Sequence, residues 1–413
     1  MIKQKLLLSS SLALLSGFAL AGSHDDDAWF RHTNIEGFIS QTAIYTSDYN
    51  FLSESDDTVS LDMWEAGALL STQIKDQLTF STQVLGRKVS KSSGNDIRVD
   101  YAFLSHPLYQ SLDFTFGARL GRIRSSFGFY NETRDIPHTR TGIVMPQSVY
   151  YDMTRNSFYS ADGLELFTYH DFDENSLSFQ LFFSRPLADS DEVSDSHLLN
   201  PENLDGDKGI LAKIAYGSEL DGFRSAFTYY RPEYKVNISV KDLGSGMTIF
   251  NDKDTTFYSE TMLTSLEYNQ LNWSITGEYS RHKFKANTPA WDNLPLGVKA
   301  MVPASMTDLI QALADGVYEE SFYLQGLYRV DERWETYLRY DKERVRGSSA
   351  DNPNAYFNDI NVGASFRPDE HWLIRSEIHY IEGRSRLFGR DNTFGAEQDP
   401  YWTAAMLQLA YKW

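Results

Sequence analysis

Residues 124–162, RSSFGFYNETRDIPHTRTGIVMPQSVYYDMTRNSFYSAD, mix guanidinium, carboxylate and phenol groups in one uninterrupted stretch. Arg124, Arg134, Arg140 and Arg155 stand among Glu132, Asp135 and Asp152, with Tyr130 and Tyr151 between them; Arg119 and Arg122 come just before. Opposed charges of this kind set a local field and direct hydrogen bonds at a charged or hydroxylated molecule, while phenol rings offer flat faces to a sugar or an aromatic acid. Nothing in the pattern makes or breaks covalent bonds. G-x-S-x-G, H-E-x-x-H and P-loop signatures are missing from the chain, so no enzyme and no catalytic residue is expected, and no cofactor. A hydrolytic Ser/His/acid site hidden in loops would have to use an imidazole such as His138 or His379, and no spacing in the sequence pairs either with a nucleophile. His24 with the three carboxylates of SHDDD at 23–27 is a chelating set on paper; a solvated terminus explains it better, and no metal site is assigned.

These residues need elements to hold them, and the elements read as strands. Period-two alternation appears over 35–46, 59–74, 78–89, 97–106, 112–123, 163–170, 176–184, 208–217, 222–232, 256–269, 271–281, 320–330, 334–345, 356–366, 372–382 and 402–413. Most run to the length a tilted strand needs to cross a bilayer. One set of connections is short, as in KDQ, DFDEN, SELDG, DER and PDEH. The alternate set is long: 47–58, 124–162, 185–207, 233–255, 282–319 and 383–401. The fold class predicted is therefore all-β: a transmembrane antiparallel β-barrel of about sixteen strands, with short periplasmic turns and long extracellular loops.

Each strand has one greasy and one polar face. Leu112, Phe114, Phe116, Ala118 and Leu120 oppose Asp113, Thr115, Gly117, Arg119 and Gly121; Leu271, Trp273, Ile275 and Tyr279 oppose Asn272, Ser274, Thr276 and Glu278. In 97–104 the same rule sets Ile97, Val99, Tyr101 and Phe103 against Arg98, Asp100, Ala102 and Leu104. A sixteen-stranded barrel is too wide for its own side chains to fill, so the polar face is expected to be wet and the apolar face to meet lipid. The inward charges are then nine basic (Arg87, Arg98, Arg119, Lys213, Arg224, Arg329, Arg339, Arg375, Lys412) and eight acidic (Asp100, Asp113, Glu267, Glu278, Glu335, Asp341, Glu343, Glu377). That is an almost balanced lumen. Tyr268, Trp334, Tyr340, Trp372, Tyr380, Tyr411 and Trp413 at strand ends predict two aromatic girdles.

The first residues set the compartment. MIKQKLLLSSSLALLSGFALA reads as a signal peptide over 1–21, cleaved after Ala21, leaving one domain over 22–413. Removing it takes away Lys3 and Lys5, so 392 residues remain with 36 basic and 57 acidic side chains, a net charge of −21. No Cys is present and no nucleic-acid partner is expected from so acidic a chain. Within 282–319, Ser305 with Asp308 starts a short helical pattern that Gly316 ends, giving one helix near 305–316. The stretch 124–162 either folds into the lumen as a constriction loop or caps the barrel outside. Its many aromatic residues argue against disorder, and the lumen is the expected place.

RLGRIRSSFGFYNETRD resembles the stretch that opens the constriction region in the phosphate-selective porin (O and P type) family. The match is carried by Gly121, Arg122, Phe127 and Gly128; Ser126 stands where that family commonly has Pro. The resemblance implies a sixteen-stranded, homotrimeric outer-membrane porin, a water-filled channel for passive diffusion of small hydrophilic solutes or ions. The charges and rings of the loop stretch itself make Arg119, Arg122, Arg124, Glu132, Arg134, Asp135, Arg140, Tyr130 and Tyr151 the residues expected at the pore. Outer-membrane lipid and lipopolysaccharide are the expected surroundings. The alternative is an outer-membrane barrel with a blocked lumen, acting as receptor, adhesin or hydrolase.

Overall fold

The computed structural model describes residues 31–75, 77–89, 96–188, 203–241, 248–287, 311–349, 351–389, 391–392 and 399–413. Sixteen strands run in chain order: β1 (Arg31–Thr46), β2 (Ser60–Lys75), β3 (Leu78–Lys88), β4 (Asp96–Gln110), β5 (Phe114–Arg124), β6 (Ser160–Phe172), β7 (Asn175–Pro186), β8 (Asn203–Ser218), β9 (Phe223–Lys241), β10 (Thr248–Asn269), β11 (Trp273–Asn287), β12 (Val317–Arg329), β13 (Trp334–Val345), β14 (Tyr356–Phe366), β15 (Trp372–Gly383) and β16 (Tyr401–Lys412). Every strand pairs antiparallel with its neighbours in sequence, and β16 pairs with β1, closing the barrel. Closure leaves no unpaired edge, which a sheet exposed to hydrocarbon requires. At the seam Trp413 and Gly37 exchange both backbone hydrogen bonds, at 3.0 and 3.2 Å. A Cβ on Gly37 would fall 2.1 Å from the Trp413 ring, so glycine is what seats that ring.

Alternation fixes the two faces. Ile35, Leu120, Ile275, Leu338, Ile378 and Leu407 are exposed on the outside, an apolar belt far larger than a water-facing surface carries. A belt of this kind is stable where it faces lipid. Rings gather at its margins: Trp334 stacks on Phe366 at 4.5 Å and Trp372 meets Tyr411 at 4.8 Å near the short turns, while Tyr380 stacks on Tyr401 at 6.2 Å near the long loops. Among the described residues no helix is long and apolar enough to cross a membrane.

Three expectations change. First, β9 and β10 go on pairing to Lys241↔Thr248, well inside the expected loop 233–255. Second, the register between β3 and β4 slips one residue at Gln83/Val84. A bulge turns the following side chains over: Ile97 and Val99 face out, but Tyr101 is buried inside and Leu104 is exposed outside. Third, the interior is not simply wet. Loop 125–159 between β5 and β6 fills the barrel and packs two clusters of apolar side chains, one around Phe127, Tyr150, Tyr230 and Tyr323, the other around Ile143, Val144, Phe357 and Trp402. Arg339, Arg375 and Glu377 are consequently 1, 1 and 2% exposed. The barrel is too wide for strand side chains to fill, and the loop supplies the filling. Of the expected helix, residues 311–315 are helical and end at Gly316, whose φ is +97°; its start, the signal peptide and SHDDD lie outside the described residues.

Candidate functional site

Loop 125–159 leaves β5 by a turn that its own sequence specifies. Gly128 has φ +58°, and a Cβ there would lie 2.2 Å from the Tyr150 hydroxyl and 2.7 Å from Glu278 Oε1. Only glycine lets the backbone come that close. The next amide, Phe129 N, then donates to Glu278 Oε1 at 3.0 Å, and Lys213 Nζ donates to Gly128 O at 2.8 Å. Phe127 meanwhile buries its ring against Tyr159 and Tyr230. The Phe-Gly pair thus inserts one residue and frees the next backbone groups for strand charges.

From there the loop crosses to the opposite wall. Its far side is held through its backbone. Arg375 donates to Gly142 O at 3.0 Å and also to Arg140 O, and Arg339 donates to Val144 O at 3.1 Å. Glu377 accepts from Ile143 N and, at 3.3 Å, from Val144 N. His379 stands behind, its Nε2 3.1 Å from Glu377 and its Nδ1 2.8 Å from Asp359. Both ring nitrogens therefore face carboxylates, and neither is left to take a proton from a nucleophile.

On the near wall the loop is held by side chains. Arg124 and Arg155 each bond to Asp100 and Asp135, making a closed four-membered ring of charge; Arg124 reaches Asp135 at 2.6 Å and Arg155 reaches Asp100 at 2.8 Å. Arg124 also donates to Glu132 O at 2.8 Å and stacks over the Tyr101 ring at 5.3 Å. Next to this ring Arg87 bridges Asp152, at 2.9 Å, and Glu65, at 3.3 Å; Arg134 binds Asp152 at 3.2 Å and Arg140 binds Glu65 at 2.7 Å. Burial alone would push the Asp152 carboxyl up, but Arg87 and Arg134 together outweigh it and hold it below its ordinary value.

Eight of the nine expected pore residues meet in the interior. Arg119 pairs with Glu165 at 2.6 Å and lies over the Phe167 ring at 4.7 Å. Glu132 approaches Lys213 at 3.7 Å. The two tyrosines are placed differently from expectation: Tyr130 packs its ring against Tyr150 at 6.1 Å, and Tyr151 is covered by Phe388 and by the Arg386 guanidinium at 4.6 Å. Neither presents an open stacking face. Arg122 is a correction. It pairs with Asp162 at 2.8 Å on the outer face, in line with outward Leu120 and Leu164. It lies three positions after inward Arg119, an odd offset, so strand parity alone puts the two on opposite faces.

The inward charge list was also incomplete. Glu36, Glu65, Glu165, Glu319 and Asp359 face inward as well, by their alternation with buried neighbours. The wall is acidic, not balanced. Below the loop, at the short-turn end, a cavity of about 560 Å³ remains, with Arg119, Tyr101, Phe103, Phe167, Glu36 and Glu132 among its lining.

No family model and no curated protein sequence matches the chain. Solved structures do. OmpT of Vibrio cholerae aligns over 92% of this chain and 97% of its own, at 12% identity and a TM-score of 0.54. An anion-selective porin from Comamonas acidovorans aligns over 92% and 99%, at 11% identity and 0.55. The outer-membrane channel DcaP of Acinetobacter baumannii aligns over 92% and 97%, at 12% identity and 0.51. The class of fold is thus that of the sixteen-stranded outer-membrane barrels, shared over nearly the whole chain.

Proposed function

We propose that this chain is an outer-membrane porin through which small hydrophilic solutes or ions diffuse passively, with loop 125–159 narrowing the passage. The observation that carries the reading is the loop itself: it lies inside a closed sixteen-stranded barrel, clamped on two opposite walls, and still leaves a cavity of about 560 Å³ at the short-turn end. Arg119, Arg124, Arg134 and Arg140, with Glu132 and Asp135, shape the field there. No bond-making chemistry is assigned to them. The shared fold with a channel and a porin supports the reading, as do the apolar belt and girdles, which suit an outer membrane and lipopolysaccharide. A homotrimer is proposed from the resemblance, and a trimer form is known for Vibrio cholerae OmpT; chemical cross-linking in mild detergent tests it. Cleavage after Ala21 is tested by sequencing the N-terminus of the protein from outer membranes.

A barrel with a blocked lumen is favoured by one observation, the near-complete burial of Arg339, Arg375 and His379 beneath the loop. Planar bilayers separate the two. Stable ohmic steps support the porin; a folded, inserted protein that stays silent supports the blocked barrel acting as receptor or adhesin. The phosphate-selective resemblance makes its own demand, a basic passage, and the acidic wall runs against it. Phosphate block of chloride current would restore it.

A further inference from the structure

We infer that the cavity beneath loop 125–159 is a subsite for organic cations with an apolar body, and that it makes the passage cation-preferring. The inference rests on the porin reading for its route of access, and on the cavity for its chemistry.

At about 560 Å³ the cavity is of the size that holds a small organic molecule. Its walls are partly aromatic and aliphatic: Tyr101, Phe103, Phe167, Leu69 and Ile123 contribute. The charges decide the sign. Two cations line it, Arg119 and Arg124, and both are already neutralised from outside the lining, Arg119 by Glu165 and Arg124 by Asp100 and Asp135. Four carboxylates line it as well: Glu36, Asp113, Glu132 and Asp171. Glu132 has Lys213 at 3.7 Å. Among the described residues Glu36, Asp113 and Asp171 form no ion pair; Glu36 accepts only a neutral donor, Asn34 Nδ2, at 2.8 Å. The field left in the cavity is therefore negative although arginines are prominent in its wall. A concave, low-dielectric wall of one sign concentrates counter-ions. The Arg119 guanidinium over Phe167 at 4.7 Å and Phe103 at 5.8 Å shows that these rings already take a cation against their faces. A quaternary ammonium attached to a ring satisfies both halves of the site; an aromatic sulfonate of the same size satisfies only one.

The experiment uses the full-length mature barrel folded in detergent and in planar bilayers. Reversal potential in a KCl gradient is measured for the wild type and for Glu36→Gln/Asp113→Asn/Asp171→Asn, and calorimetry follows benzyltrimethylammonium and benzenesulfonate. The expected result is several-fold K⁺ over Cl⁻ permeability that falls toward parity in the triple variant, with benzyltrimethylammonium binding lost in parallel and benzenesulfonate inert throughout. Conduction with anion preference, or a cation preference the triple variant leaves in place, overturns the inference and leaves the porin reading standing. Binding of benzyltrimethylammonium without conduction overturns the porin reading and the cation-preferring passage with it, and leaves only the subsite. Heat-modifiable migration on gels verifies that the variant is folded, and Glu132→Gln alone serves as a second variant with a smaller shift in the same direction.

Discussion

The two walls that hold loop 125–159 do so by different chemistry. On the β13–β15 wall, strand charges bind loop backbone: Arg339, Arg375 and Glu377 address carbonyls and amides of residues 140–144. On the β2–β5 wall, side chains bind side chains, in the ring of Arg124, Arg155, Asp100 and Asp135 and the chain through Glu65, Arg87 and Asp152. A backbone clamp asks the loop for room rather than for charge: a Cβ on Gly142 would lie 2.8 Å from the Tyr337 hydroxyl, and no acidic or basic partner is demanded at that position. A side-chain ring demands particular residues on both partners. The lesson is that prominence in the sequence tracks only the second kind of contact.

The largest effect is expected from breaking the backbone clamp. Glu377→Ala strands two loop amides, removes the partner of the Tyr337 hydroxyl and leaves His379 facing Asp359 alone. We expect a loss of roughly 3–5 kcal/mol in urea unfolding from detergent, together with noisier and larger single-channel currents as the loop tip is released. Unchanged current noise would show that the clamp does not restrain the loop.

Breaking the side-chain ring comes next. Arg124→Ala leaves Asp100 and Asp135 with Arg155 as a shared partner, so the cost is about 2–3 kcal/mol, below that of a fully orphaned charge. A double variant with Arg155→Ala should cost more than the two single losses added, because only then does Asp135 lose both partners while Asp100 keeps only Arg98, at 3.9 Å. Simple additivity would mean the ring is not a unit.

A third prediction concerns pH. Burial first, then Lys412 and Arg375, push the His138 imidazole down to about 4 from an ordinary 6.5, and its Nε2 lies 3.1 Å from His371 O. The folded state holds this proton more weakly than the unfolded state does. His138 therefore favours the fold above pH 6.5, and that contribution is lost as pH falls from 6.5 toward 4. His138→Gln should flatten the pH dependence of the melting temperature in that window and leave it unchanged above it.

The smallest effect sharpens the contrast between inside and outside. Arg122 and Asp162, 33 and 53% exposed on the outer face, make a surface pair worth at most about 1 kcal/mol. Arg122→Ala should leave conductance and ion preference untouched, whereas Arg119→Ala, which frees buried Glu165, should shift both. If Arg122→Ala altered conduction, the face assignment of β5 would be wrong.

Much of the fold was legible. The strands at 334–345 and 356–366 have the bounds their alternation predicts. Strand side chains report their face through parity, and here the environment on each face is strongly different. Where parity breaks, legibility ends. The bulge at Gln83/Val84 turned Tyr101 inward without any Gly or Pro to announce it. In the site, the arginines of 119–155 were visible as a charged cluster, but their partners Glu65, Asp100 and Glu165 lie on other strands, and pairing between strands leaves no local spacing. The Tyr151 ring is covered by Arg386, from a loop over 200 residues later, and no local pattern foreshadows that contact.

Composition and period two by themselves determined the number of strands, their order around the ring and the sidedness of most positions, because each of those follows from neighbours in the chain. Tertiary structure alone decided which carboxylate cancels which guanidinium, and hence the sign of the field that remains. Charge is a property of a residue, but compensation is a property of distances, and those distances are set only when loop 125–159 is laid inside the closed barrel.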